Sequence, residues 1–140
     1  MKSYVLDASA LIAAARPQEA GNRTVLALLR DNPGRVHIHA LNLAEVYHRL
    51  TTLRNATFAE SFLAQVRGLG IRVEEVLDEP IWKDAAWRKA QYGRDISLAD
   101  AVAIATALKL GAVLVGRDGP AFDGLGKAGI VELFNLKGRP

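Results

Sequence analysis

The sequence predicts an α/β domain with a mostly parallel central sheet flanked by helices. Three observations carry this. Short apolar runs that read as strands alternate with longer segments of helical spacing along the whole chain. Neither a repeat nor a Pro/Gly/Ser-rich linker interrupts the alternation, and 140 residues suit one domain spanning 1–140. Half the residues are hydrophobic, enough for a core on both faces of a sheet.

The elements follow in order. Ser3–Leu6 is a short strand ended by Asp7, and "SALIAAA" continues as a helix stopped before Pro17. Glu19–Asn32 carries apolar residues at helical spacing and closes at "NPG". Arg35–Ala40 alternates as a strand. Asn42 is expected to cap a helix from Leu43 to Leu53, and Thr57–Leu69 forms a second helix. "IRVEEV" is the next strand. Asp78 opens a helix through Gly93, with Pro80 acceptable in its first turn. Ser97–Leu110 is apolar on nearly every side and ends at Gly111. Ala112–Gly116 and Gly129–Phe134 complete the strands.

Composition narrows the function classes. No apolar run reaches the roughly 18 residues of a membrane span, and "MKSYVLDASAL" reads as a strand entering a helix rather than a signal peptide, so a cytosolic protein is expected. The absence of cysteine rules out disulfides and thiolate metal sites. The net charge is +3, with 18 Lys+Arg against 15 Asp+Glu. Were four of those acids to carry a metal, the 18 cations would face 11 acids, a balance of +7 that suits a polyanion.

Four acids stand out, and each has a local explanation. Asp7 follows the first strand and is placed to cap the helix after it. Glu45 falls on its helix with Ala44, His48, Arg49 and Thr52, opposite Leu43, Val46, Tyr47, Leu50 and Leu53, which makes a solvent-facing glutamate an ordinary reading. Asp100 completes capping-box spacing with Ser97, yet it heads a helix that is otherwise apolar. Asp118, two residues past a strand, fits a turn in "GRDGP". In a parallel α/β sheet ligands bind beyond the carboxyl ends of strands, and there these acids can converge. Carboxylates about 4 Å apart repel by roughly 4 kcal/mol per pair at an effective dielectric of 20. Protons or cations must neutralise such a cluster, and an all-oxygen donor set suits Mg²⁺ or Mn²⁺. Acids holding Mg²⁺ suggest phosphodiester chemistry. A phosphatase using Asp7 as nucleophile fits less well, because "DAS" lacks a second acid two residues on.

"VLDASALIA", "LNLAEVYHRL", "ISLADAVAIATALKLGAVLVGRD" and "FDGL", in this order, resemble the PIN domain, in particular the VapC-like toxin ribonucleases of toxin–antitoxin pairs. The resemblance covers essentially the whole chain. It implies a PIN-like three-layer fold and matches Asp7, Glu45, Asp100 and Asp118 to the family's metal-binding acids. It also implies a Mg²⁺-dependent endoribonuclease, with Mn²⁺ able to substitute, in which metal-activated water hydrolyses RNA. A cognate antitoxin and a homodimer are the implied partners, and no membrane. The chain departs from the family at Gly116, where threonine is frequent two residues before the last acid. Asp123 is a fallback ligand. Ser9 and Ser97 stand either as donors to the acids or as local caps. Arg49 and Arg117 stand as phosphate contacts or as ordinary surface cations. His48, His37 and His39 are given no catalytic part, and Trp82 and Trp87 are expected in the core or an interface. Two other functions stay open: a PIN-fold nuclease outside a toxin–antitoxin pair, and a non-catalytic PIN-fold binding module.

Overall fold

A computed structural model of the chain describes residues 1–116 and 133–136, with side chains at 133 and 135 left aside. Five parallel strands lie in the order β3-β2-β1-β4-β5. They are β1 (Tyr4–Leu6), β2 (Val36–His39), β3 (Arg72–Glu74), β4 (Val113–Gly116) and β5 (Leu133–Asn135). The helices are α1 (Ala8–Ala15), α2 (Asn22–Asp31), α3 (Ala40–Leu53), α4 (Ala56–Gly68), α5 (Glu79–Tyr92) and α6 (Leu98–Leu110), with a 3-10 turn over Gly93–Asp95.

Strand alternation sorts the core into two layers. Leu6 of β1, Val36 and Ile38 of β2 and Val115 of β4 pack with α1 to α4. Val5 and Leu114, one residue over on β1 and β4, pack with α5 and α6. The three-layer expectation therefore holds. β2 is buried at all four positions, because helices cover both faces of the sheet. His37 and His39 project from the face opposite Ile38. His37 Nδ1 meets Glu74 Oε1 at 2.6 Å, and His39 Nε2 donates to the Val76 carbonyl at 2.9 Å. These buried polar groups tie β2 to the β3 edge.

Several boundaries differ from the sequence reading. α2 starts at Asn22 because Gly21, at φ +88°, breaks the helical path, and a Cβ there would meet Leu136 at 3.1 Å. Asn22 instead donates to the Ala13 and Ala14 carbonyls at the end of α1. α3 begins at Ala40, not Leu43, since β2 runs into it with no loop. His39 is its cap, accepting from Leu41 N–H through Nδ1. Asn42 is thus inside the helix rather than capping it. Leu53, assigned to the buried face, is 45% exposed in the last turn of α3. Trp82 and Trp87 are 47% and 57% exposed, and α5 packs instead through Ile81, Ala85 and the Arg88 stem. The core is therefore excluded for both tryptophans. No helix of the described residues is long and apolar enough to cross a membrane.

Candidate metal and nuclease site

The chain builds β1, then β2 and β3 on one side, and returns to place β4 and β5 on the other. The strand order reverses between β1 and β4, and in open α/β sheets the crevice outside the carboxyl ends at such a switch point is the ligand site. Leu6 pairs with Val115, and the Asp7 N–H donates to the Val115 carbonyl at 3.0 Å, so Asp7 stands at this crevice.

Asp7 is fully buried. Its Oδ1 accepts from Ala10 N–H at 2.9 Å and from the Ser9 hydroxyl at 2.7 Å. Capping and site placement are therefore compatible: the first turn of α1 supplies both a donor and the positive end of a helix dipole. Ser9 is a donor to the acid, one of the two roles open to it from sequence.

Asp100 lies in the first turn of α6, half-buried. Its Oδ2 accepts from Ser97 N–H at 2.9 Å, and its own N–H donates to Ser97 Oγ at 3.0 Å. The full capping box is present, and one carboxylate oxygen suffices for it. Ser97 supports Asp100 through its backbone, while its hydroxyl caps the helix. The Lys89 ammonium donates to the Ile96 carbonyl at 2.7 Å, which fixes the approach to this helix start.

Glu45 is half-buried on α3, one turn beyond Asn42. Asn42 itself is fully buried; its Oδ1 accepts from Ala8 N–H at 3.2 Å and its Nδ2 donates to the Ala99 carbonyl at 3.1 Å. A chain of two hydrogen bonds thus joins the residue after Asp7 to the residue before Asp100. Sequence reasoning missed this contact. The signal was the register of Asn42 with Val46 and Leu50, an amide on a core-facing stripe. Elsewhere on α3, Tyr47 donates to Glu60 Oε1 at 3.0 Å, and this bond with the glutamate's charge raises the phenol above its ordinary value.

Asp118, Asp123 and Arg117 lie outside the described residues. Among the described residues, no three acidic or histidine side chains stand close enough to share one ion. The donor set is nonetheless of the right chemistry: carboxylates only, no thiolate, at the carboxyl edge of a sheet. Arg49 and His48 are exposed on α3.

Solved structures give the same arrangement of the chain. VapC20 of Mycobacterium tuberculosis, described as a sarcin–ricin loop cleaving toxin, superposes with a TM-score of 0.73 at 23% identity, over 99% of this chain and 100% of that one. VapBC2 of Rickettsia felis, solved with a DNA fragment from its promoter, gives 0.69 at 16% identity, over 94% and 97%. A toxin–antitoxin complex from Klebsiella pneumoniae gives 0.65 at 19%, over 88% and 92%. No curated protein matches the sequence. The family model for the PIN domain matches residues 4–127. With that match covering most of its length, the chain belongs to the PIN domain family.

Proposed function

We propose that this PIN domain is a metal-dependent endoribonuclease and the toxin half of a toxin–antitoxin pair. The observation that carries the reading is the buried Asp7 carboxylate at the β1–β4 switch point, linked through Asn42 to the helix start that bears Asp100. Fold neighbours that include a sarcin–ricin loop cleaving toxin and a toxin–antitoxin complex support the same reading.

Asp7 and Asp100, with Glu45 and Asp118, would hold the dication, Mg²⁺ or Mn²⁺. Bound there, it would acidify a water and offset charge on the scissile phosphate. The protein's own groups have separable tasks. Ala10 N–H and the Ser9 hydroxyl immobilise Asp7 Oδ1. The Ser97 N–H does the same for Asp100 Oδ2. Glu45 lies in the second turn of α3, and one of these acids would accept the proton of the attacking water. Arg49, one turn further along α3, and Arg117, beside Asp118, are assigned to the RNA backbone, where phosphate contacts supply affinity rather than sequence choice. The antitoxin and a second copy of the chain are the proposed protein partners, and the cytoplasm, where the RNA is, the proposed location.

Cleavage of a panel of folded RNAs in Mg²⁺, Mn²⁺ or EDTA tests this. Activity is expected in both metals and none in EDTA, with recovery when Mg²⁺ is restored. Equal cleavage in EDTA would contradict the metal role. No cleavage of any RNA, with no binding of Mg²⁺ by calorimetry, would favour a binding module.

A further inference from the structure

Asn42 is fully buried, although an amide costs free energy to bury unless its polar atoms find partners. Nothing about packing requires it, since Val46 and Leu50 occupy the same stripe of α3 with hydrocarbon. Its two partners are both backbone groups, and they fix which way the amide faces. Ala8 N–H can only donate, so the oxygen meets it; the Ala99 carbonyl can only accept, so the nitrogen meets that. Reversing the amide would place donor on donor and acceptor on acceptor. The side chain therefore holds one separation and one orientation between the first residue of α1 and the second residue of α6.

Those residues are the immediate neighbours of Asp7 and Asp100, and Glu45 follows Asn42 by three positions on the same helix. We propose that Asn42 is a positioning residue: it sets the spacing of the three acid-bearing segments, and through that spacing the affinity for the dication. The proposal rests on the metal-binding reading given above. Groups that orient metal ligands without touching the metal typically affect metal affinity by about 10–100-fold.

Mn²⁺ affinity of the full chain, measured by electron paramagnetic resonance without RNA, reads this out directly. Three variants separate positioning from simple stability. Asn42→Ala removes both hydrogen bonds. Asn42→Leu keeps the branched shape of the side chain without either bond. Val66→Ala opens a cavity in α4, in the helix layer remote from α6. Asn42→Ala and Asn42→Leu are each expected to bind Mn²⁺ at least ~10-fold more weakly than wild type. Val66→Ala, whatever stability it loses, is expected to bind within about twofold of wild type. If Asn42→Leu fails to fold, the comparison of Asn42→Ala with Val66→Ala decides alone. Wild-type affinity in Asn42→Ala, or an equal loss in Val66→Ala, would overturn the positioning role and leave the metal site standing. A wild-type chain that binds no Mn²⁺ would instead overturn the metal reading and this inference with it.

Discussion

Asp7→Asn is expected to lower RNA cleavage in Mg²⁺ at least ~100-fold, which corresponds to about 2.7 kcal/mol of lost transition-state stabilisation. The substitution is chosen for what it keeps. Asparagine has the same shape, and its Oδ1 still accepts from Ala10 N–H and the Ser9 hydroxyl, so the cap on α1 survives. Only the negative charge is lost, along with the second carboxylate oxygen. Asp100→Asn should behave alike, since one oxygen satisfies the Ser97 N–H. Single-turnover rates, read beside circular dichroism and melting temperature, separate loss of chemistry from loss of fold. A rate within about threefold of wild type would remove Asp7 from the site.

The largest stability effect is expected at α6. Ile104→Ala should destabilise the protein by about 2–5 kcal/mol in denaturant unfolding, with activity lost only as far as the folded fraction falls. Ile104 is fully buried, and the seven consecutive residues Ala101–Ala107 are buried with it. Four of those seven are alanine, which lets α6 approach β1, β4 and α5 closely, so the layer has few large side chains to close a void. Removal of Ile104 leaves a cavity that small neighbours cannot fill by rotating. A loss below about 1 kcal/mol would mean that this layer repacks freely, contrary to the geometry described.

How much of this was legible in the sequence differs by layer. The alternation of strands and helices pointed to the parallel sheet, because buried strands with helical crossovers leave a period that survives any detail of packing. Helix ends were legible where one residue makes them. The Asp78, Ser97 and Gly111 boundaries stand as read, since a cap is local chemistry. The start of α3 was misplaced because Asn42 is a good cap by type, and nothing local reveals that His39 has already taken that role. α5 misled for another reason. Its tryptophans suggested burial by hydrophobicity, while Arg88, paired with Asp84 at 2.8 Å, occupies the inward face through its aliphatic stem. For the site, the strand-end position of Asp7 and the capping box of Asp100 could be read directly. The bridge that Asn42 makes between them spans 34 residues one way and 57 the other; the local pattern marks Asn42 as core-facing but not which segments it meets.

The central claim is that folding gathers carboxylates separated in sequence around a place for one hard dication. Crystals grown or soaked with Mn²⁺, with data collected at a wavelength where manganese scatters anomalously, test it most directly. The account expects a peak in the anomalous difference map at the carboxyl edge of β1, within about 2.0–2.4 Å of oxygens from Asp7 and Asp100. A map with no peak there, or with manganese held only by acids elsewhere on the surface, would contradict it.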